Sequence, residues 1–186
     1  MFAFAGHGAE TIGLLLLALV LDAIFGEMPW LFRFLTHPVV MIGNAIGFFD
    51  RRLNRLERSN RSRLIRGGIA TVILVTLAAA IGTAIHWTAV TVPFGWFFEL
   101  LVMTTLIAQR SLYDHVARVR AALDDDGLAA GREAVSHIVG RDPNVLDHHG
   151  VCRAAIESLA ENFSDGVVAP VFWALLFGLP GLLVYK

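Results

Sequence analysis

Four polar residues spaced four apart form the most concentrated chemical motif in the sequence. Within RAAIESLAENFSDG these are Arg153, Glu157, Glu161 and Asp165. On an α-helix this spacing places successive members on adjacent turns of one face. Carboxylates so arranged suit Mg²⁺, which prefers oxygen ligands and often shares them with substrate phosphates. An arginine beside them can bind a phosphate or a carboxylate, so the motif predicts metal-assisted chemistry on an anionic substrate.

The same spacing is also typical of a solvated helix face. Arg153 and Glu157 could form an ordinary ion pair, worth about 0.2–0.5 kcal/mol on a helix surface. Against this, Asp165 stands at the start of an uncharged apolar run, where an unpaired charge is expensive if the run enters a membrane. Both interpretations remain open on the residues alone.

Two short motifs offer further candidates. Arg141, in the Gly-Arg-Asp run that ends at Asp142, could reach an anionic group; the alternative is a helix C-cap glycine followed by a solvated arginine. His37 precedes Pro38, which makes the entry to the following helix rigid. His37 could be a general base or an anion contact, and the alternative is a hydrogen-bonded structural histidine.

Acidic residues next to apolar runs are candidates for a different reason. Asp22 and Glu27 lie near one end of the first apolar run, where acids are functional by default, although Asp22 could simply pair with Arg33. Glu99 is a weaker candidate near the opposite side. The sequence has no glycine-rich phosphate loop, dinucleotide fingerprint, HExxH or CxxC motif, and a single cysteine, Cys152, excludes an intrachain disulfide.

The elements that must position these residues are predicted to be membrane helices. The sequence is 56% apolar and 17% charged, with a mean hydropathy of +0.63, whereas a soluble domain carries roughly 25% charged residues. We therefore predict an all-α, polytopic integral membrane protein with a single membrane domain. The predicted membrane segments are about 8–26, 69–87, 92–110 and 166–185, with an interfacial or re-entrant segment at 37–49 and a cytoplasmic helical segment at 109–165.

The arginines indicate which side of the membrane is cytoplasmic. Seven arginines lie between Arg51 and Arg66, and basic residues near membrane segments mark the cytoplasmic side. The hairpin that follows returns the chain to that side, so 109–165 is predicted to be cytoplasmic. Because the basic run is flanked by apolar segments, we expect the lipid bilayer and no nucleic acid as its partner. Prolines and glycines within 166–185 predict a broken or kinked helix.

Several motifs, in order, resemble one known family. LDAIFGEMPW, HPVVMIGNAIGFFDRRLN, RSLYDHV, HIVGRD and RAAIESLAENFSDGVVAPVFW are similar to the CbiB/CobD family of cobalamin-biosynthesis membrane proteins, the adenosylcobinamide-phosphate synthases. The resemblance runs from about Leu14 to Lys186, and its last motif is long and specific.

The resemblance implies an enzyme, a ligase that forms a C–N (amide) bond. It would join adenosylcobyric acid, a corrinoid, to an amino-alcohol phosphate such as aminopropanol phosphate or ethanolamine phosphate. ATP and Mg²⁺ would drive the reaction in the bacterial cytoplasmic (inner) membrane, with the site facing the cytoplasm. Which amino-alcohol phosphate is used stays open. A homo-oligomer, or assembly with other cobalamin-pathway membrane proteins, also stays open.

At the motif positions, the chemistry of such a ligase assigns roles as a hypothesis. A carboxylate must be activated before an amine attacks it, and phosphoryl transfer from ATP would give an acyl phosphate. A protein stabilises that transfer mainly by positioning the reactants and neutralising the charge of the phosphoryl group. The implied roles are Mg²⁺ ligation by Glu157, Glu161 and Asp165, contact with phosphate or the corrin carboxylate by Arg141 and Arg153, hydrogen bonds from Asn162 and Ser164, and deprotonation of the amine by His37 or Asp142.

Some positions depart from the family pattern. Residues 26–29 read GEMP where GDP is usual, Pro143 stands where threonine is usual, and Phe163 replaces a small polar residue. Family members continue well past Lys186, so we interpret the chain as a fragment or a shortened form that could be inactive alone.

Two other functions compete with the ligase. Acids four apart near a bilayer also suit a Mg²⁺-dependent prenyl-diphosphate transferase, although its usual pair of aspartate-rich motifs is missing. A non-enzymatic transport, scaffold or sensory subunit of the same superfamily would use the polar stripe as an interface.

Overall fold

The computed structural model describes residues 4–34, 36–140 and 142–186. Within them the chain is helical and contains no strand, as the composition predicts. The α-helices are α1 (Phe4–Phe25), α2 (Pro29–Phe32), α3 (Pro38–Leu53), α4 (Asn60–Thr91), α5 (Gly95–Thr105), α6 (Gln109–Ala121), α7 (Leu128–Ser136), α8 (His148–Phe163) and α9 (Ala169–Tyr185). Two π turns, Ala122–Asp126 and Ser164–Val168, extend α6 and join α8 to α9.

Helix α4 is much longer than the predicted segment 69–87. It begins at Asn60 because Ser59 caps it, the Ser59 hydroxyl accepting the Ser62 amide at 3.4 Å. The arginines that follow are good helix formers. The non-helical part of the arginine-rich segment is therefore only 54–59.

The predicted segment 92–110 is interrupted. Helix α5 ends at Thr105, and residues 106–108 leave the helix before α6 begins. The Ala108 amide bonds to the Gly166 carbonyl at 3.2 Å instead of continuing the helical ladder. An 11-residue helix is about 16 Å long, so α5 is too short to cross a hydrocarbon layer of about 30 Å.

The predicted break in the C-terminal helix is confirmed, and it is a reversal. Gly178 has φ 64° and ψ −154°, a conformation that only glycine adopts readily. A Cβ on Gly181 would lie 2.5 Å from the Trp173 carbonyl oxygen, because the chain has turned back on itself. A straight helix would place Lys186 about 30 Å from Asp165, whereas the Asp165 charge acts directly on Lys186.

The predicted membrane segment 166–185 is thus a helical hairpin. Its tip packs against the middle of α4, where Gly82 allows Pro180 to come close; a Cβ on Gly82 would lie 2.6 Å from the Pro180 Cα. Leu179 and Leu182 at this tip are fully buried. Irregular backbone is tolerated at membrane depth when protein surrounds it in this way.

The buried residues form two hydrophobic cores. One joins α1, α5 and α9 through Leu15, Ala18, Leu100, Met103, Leu106, Ile107, Val167, Ala174, Leu179 and Leu182. The other joins α6, α7 and α8 through Val119, Leu123, Val135, Val151, Ala154 and Ala155. The predicted helical segment 109–165 is therefore a three-helix unit with its own core. Asp147, a residue type that favours helix N-caps, caps α8, its carboxylate accepting the Gly150 amide at 2.7 Å.

The two remaining predicted segments agree with helices to within four residues. Segment 8–26 corresponds to α1, and segment 37–49 corresponds to α3, which buries no residue. By length and apolar composition, two helical stretches in the described part of the chain could cross a bilayer, Asn60–Thr91 and His148–Tyr185. The second contains the π turn and the reversal just described.

Candidate functional site

A buried carboxylate joins α1 to the beginning of α6. Asp22 is 2% exposed, and its Oδ2 accepts the backbone amides of Gln109 at 2.8 Å and Arg110 at 3.3 Å. The residue before α6 is Ala108, which has no side-chain acceptor to offer. Asp22 therefore caps α6 from a distant part of the chain, and its charge meets the positive end of the helix dipole. These amides, and not Arg33, are its bonded partners.

Further bonds fix the same junction. The Gln109 side chain donates to the Leu19 carbonyl, and Arg110 donates to the Ala23 carbonyl at 3.3 Å. Gly26, just past α1, has φ 61°, and a Cβ there would lie 2.9 Å from the Arg110 Cγ. The end of α1 and the start of α6 are therefore packed too closely for a side chain at residue 26.

A cavity of about 540 Å³ opens beside this junction. That volume is within the range of small-molecule sites. On its wall the Ser111 hydroxyl donates to the Glu27 carboxylate at 2.5 Å. The polar side chains lining the cavity are Asp22, Glu27, Arg33, His37, Thr104, Thr105, Ser111 and Lys186. Two carboxylates, an arginine, a lysine and a histidine thus face one space.

His37 presents a hydrogen-bond donor to this cavity. Its Nδ1 accepts the Val39 amide at 3.2 Å, which caps α3. Burial lowers the pKa of His37; the nearby Glu27 carboxylate opposes this and the Lys186 charge adds to it. A neutral ring whose Nδ1 accepts carries its proton on Nε2. Of the two predicted roles, this geometry favours contact with an anion over removal of a proton.

The polar stripe lies mostly on the exposed face of α8. Arg153, Glu157 and Glu161 are exposed on the regular helix, and Asp165 lies on the π turn that follows, a type of distortion frequent at functional sites. The charge of Asp165 acts on Lys186, which also lines the cavity. Asp165 therefore connects the stripe to the cavity.

Other predicted residues have local structural roles. The Asn162 side chain donates to the Ser158 carbonyl at 2.8 Å, and the Ser158 hydroxyl donates to the Ile138 carbonyl, which ties α8 to the segment after α7. Ser164 is exposed at the start of the π turn. Asp142 caps a short turn by accepting the Asn144 amide at 2.9 Å.

Most of the site residues predicted from the sequence do not line the cavity. Of the nine candidates, only His37 lines it among the described residues; the seven that do not are Asp142, Arg153, Glu157, Glu161, Asn162, Ser164 and Asp165. Arg141 lies outside the described residues.

Comparison with known proteins identifies the family. The profile described as CobD/Cbib protein matches residues 15–186. The chain belongs to the CobD/CbiB family. It is 53% identical over 180 residues to the cobalamin biosynthesis protein CobD of a Sinorhizobium species, and 51% identical over 179 residues to that of Rhizobium meliloti (strain 1021). Identity to a cobalamin biosynthesis protein CobD of Rhodobacter capsulatus is 39% over 177 residues.

These alignments cover 96%, 96% and 93% of this chain but 56%, 55% and 54% of the relatives. The chain therefore spans about half the length of the curated relatives it matches. No solved structure matches it.

The family chemistry implied by the sequence includes Mg²⁺, which can be tested against the acids present. Among the described residues, no three His, Cys, Asp or Glu side chains lie close enough together to hold a metal ion. Glu157, Glu161 and Asp165 thus do not form a closed protein cage. They fit Mg²⁺ in its more usual form, in which one or two carboxylates bind and substrate phosphates complete the shell.

Sequence reasoning missed part of this candidate site. Ser111 and Lys186 line the cavity, but neither was singled out as a candidate. Ser111 lies within the RSLYDHV motif, which served only for the family resemblance, whereas Lys186 lies in none of the quoted motifs. The binding of Asp22 to the α6 amides had no local signal.

Proposed function

We propose that this CobD/CbiB-family chain is part of a membrane-embedded enzyme of cobalamin biosynthesis. It would join adenosylcobyric acid to an amino-alcohol phosphate in an ATP-dependent amide ligation. The family match over residues 15–186 and the names of the relatives support the pathway. The observation that carries the proposal is the cavity beside Asp22, where carboxylates, cations and a neutral histidine face one space.

The exposed surface of α4 supports a membrane location. This 32-residue helix is apolar along most of its length, yet it buries only Ala70 and Gly82. Val72, Ile73 and Leu77 are among its exposed side chains. A helix that is apolar on all sides must be surrounded by protein or by lipid, and here little protein surrounds it. We propose a multi-pass protein of the bacterial cytoplasmic membrane, with the cavity on the cytoplasmic side.

The cations of the cavity suit the anionic ends of both substrates. Arg33 can bind a phosphate or carboxylate in a bidentate manner, and Lys186 adds a point charge. The Nε2–H of His37 adds a neutral donor. In this proposal these three residues orient the amino-alcohol phosphate and the corrin carboxylate, and so make their reaction effectively intramolecular.

The amine must lose a proton before or as it attacks the activated carboxylate. We assign the proton acceptor to Glu27, because it lines the cavity and is oriented by the Ser111 hydroxyl at 2.5 Å. This replaces His37 and Asp142, the bases expected from the sequence. The Nδ1 of His37 is occupied by the Val39 amide, and Asp142 does not line the cavity.

ATP with Mg²⁺ would supply the phosphoryl group that activates the carboxylate and the charge that neutralises it. One or two of the carboxylates of Glu157, Glu161 and Asp165 would hold the metal, in place of all three as expected from the sequence, with substrate phosphates completing its shell and Arg153 beside it. Asn162 and Ser164 remain the proposed hydrogen-bond donors, and Arg141 a proposed phosphate contact. Asp165 is the member closest to the cavity through Lys186, so we expect the metal at that end of the stripe.

The direct test is ligation by purified protein. Adenosylcobyric acid, an amino-alcohol phosphate and Mg-ATP are supplied to this chain and to a full-length version, and the amide product is measured by mass spectrometry. No product from the full-length version would overturn the ligase. Turnover of a prenyl diphosphate in its place would assign the site to the prenyl transferase alternative.

Matched variants test the residue assignments. Glu27→Gln and Asp165→Asn should each lower turnover by roughly 100-fold or more, as is usual when an acid–base group or metal ligand is removed. Glu133→Gln, which neutralises an exposed acid on α7, should leave the rate unchanged. Normal rates in Glu27→Gln and Asp165→Asn, with product still formed, would assign both acids to structural roles.

A further inference from the structure

The arginine-rich segment contains a second pocket, which the proposed ligation does not use. It has a volume of about 600 Å³ and lies where the end of α3 meets the first turns of α4. Along the first turns of α4 its lining alternates between polar side chains, Arg61, Ser62 and Arg66, and apolar ones, Ile65 and Ile69; Leu53 of α3 adds a further apolar contact. Among the described residues, no carboxylate lines it. The charged side chains of its lining are therefore all positive.

Other arginines of this segment are engaged in holding the turn together. Arg58 donates to the Leu53 carbonyl at 3.1 Å and so closes the end of α3. Arg63 donates to the Asn54 side chain at 2.7 Å. These bonds fix the turn that forms one side of the pocket.

The two arginines in the pocket differ from these. Arg66 is bonded only through Nε, to the Ser62 hydroxyl at 3.3 Å, and Arg61 has no bonded partner in the described part of the chain. Both side chains are exposed. Their guanidinium groups are thus available to an anion, with Ser62 as an additional hydroxyl.

The surroundings of the pocket indicate a lipid in preference to a soluble phosphate. Leu56 and Leu64, in the same segment, are 85% and 77% exposed, and α4 continues beyond Ile69 with exposed apolar side chains such as Val72 and Ile73. Helix α3 ends in Arg51 and Arg52 and exposes apolar side chains such as Phe48. An amphipathic helix of this kind lies in the plane of the membrane interface.

We propose that this pocket binds the phosphate headgroup of an anionic phospholipid of the cytoplasmic leaflet, through Arg61 and Arg66. Leu53, Ile65 and Ile69 would contact the first carbons of its acyl chains. Basic pockets between membrane helices on the cytoplasmic side are suited to such headgroups. The inference rests on the proposed membrane location, and it is independent of the ligation chemistry.

The test measures lipid retention by the purified, detergent-solubilised full chain. Protein is mixed with phosphatidylglycerol or phosphatidylcholine of the same acyl composition, and bound lipid is counted by native mass spectrometry. The double variant Arg61→Gln/Arg66→Gln should bind phosphatidylglycerol about 25-fold more weakly, since each basic residue near an anionic surface contributes a factor of about five. Its phosphatidylcholine binding should be unchanged.

The matched control is Arg51→Gln/Arg55→Gln, which removes the same charge from the same segment but outside the pocket walls. It should retain phosphatidylglycerol. Equal loss in both double variants would mean diffuse attraction and would overturn the site. Inorganic phosphate and ATP form the other arm: saturable binding of either that depends on Arg61 and Arg66, without lipid selectivity, would make this a soluble-phosphate site and overturn the lipid assignment.

Discussion

Two carboxylates, one at each end of the bundle, are equally buried but have different partners. Asp22 and Glu99 are both 2% exposed. Asp22 is bound by backbone amides at the start of α6. Glu99 on α5 is bound by the ring of His86 on α4, with Nδ1 at 3.0 Å from Oε1 and 3.3 Å from Oε2.

The difference separates partners fixed by the backbone from a partner held by a side chain. The amides that bind Asp22 belong to the first turn of α6, so the helix itself fixes their positions. The ring of His86 reaches Glu99 from the end of a side chain that can adopt other rotamers. We infer that the end beside Asp22 is built for constant geometry, whereas the opposite end tolerates change.

The largest effect should come from removing Asp22. Asp22→Ala leaves two amides of α6 without an acceptor, and a hydrogen bond to a charged group contributes about 1.5–3 kcal/mol. We expect a loss of about 2–3 kcal/mol in the free energy of unfolding, measured by chemical denaturation in detergent. Asp22→Asn, which keeps an acceptor oxygen, should lose less than half of this. Asp114→Asn, at an exposed pair with Arg110, is the control; if it costs as much as Asp22→Ala, the distant cap is not what stabilises the junction.

A double-mutant cycle should show that Glu99 and His86 are coupled. Glu99→Leu leaves the ring of His86 beside an apolar side chain and should cost about 1–3 kcal/mol. His86→Leu in addition should recover part of that loss, because replacing both members of a buried polar pair is often nearly neutral. The same unfolding experiment gives the coupling energy, which we expect to be about 0.5–3 kcal/mol. Strict additivity of the two changes would contradict a direct interaction.

A smaller effect tests how closely α1 and α6 approach at the Asp22 end. Gly26→Ala requires a positive φ and places Cβ against Arg110, so we expect a loss of about 1–2 kcal/mol. Gly13→Ala is the matched control on α1, because a Cβ there meets nothing within 4 Å. Since Gly13 is helical, that substitution should be neutral or stabilising by up to about 1 kcal/mol. Equal stability of the two variants would show that the Arg110 side chain can move away from a Cβ at residue 26 without cost.

The smallest effect concerns pH at the cavity beside Asp22. Burial lowers the pKa of His37 below its usual value of 6.5, so the unfolded chain binds the proton more readily than the folded chain. The stability linked to this group is complete above about pH 6.5 and declines as the pH falls below it. His37→Gln should therefore reduce the loss of thermal stability between pH 7.5 and pH 5.5. If the variant loses as much thermal stability as the unchanged protein, or more, burial of His37 does not cause the loss at low pH.

Local signals in the sequence predicted much of the fold. Asp147 is recognisable as a helix cap, and the glycines and prolines of the last segment indicate a break. The residues could not show that the break at Gly178 is a reversal, because its direction depends on packing against Gly82. The stripe from Arg153 to Asp165 was visible from its spacing, but the π turn at its end was not.

The candidate site was harder to predict because it depends on contacts distant in sequence. The bond from Asp22 to the Gln109 amide joins residues 87 positions apart, and Ala108 gives no sign that α6 needs an external cap. Likewise, Lys186 reaches the cavity only because the last helix turns back. His37 was a candidate from the sequence and lines the cavity, but the sequence could not show that the Val39 amide occupies its Nδ1.

Given the membrane location proposed above, the reversal at Gly178 also changes how the crossings of this chain must be counted. A helix that enters a membrane and returns to the side it came from contributes no net crossing. Counting apolar segments would place Lys186 on the opposite side from Phe163, whereas the hairpin places both on one side. Reporter enzymes fused after Phe163 and after Lys186 should therefore give the same signal. A topology map of this region then contains one membrane crossing fewer than a count of apolar segments gives.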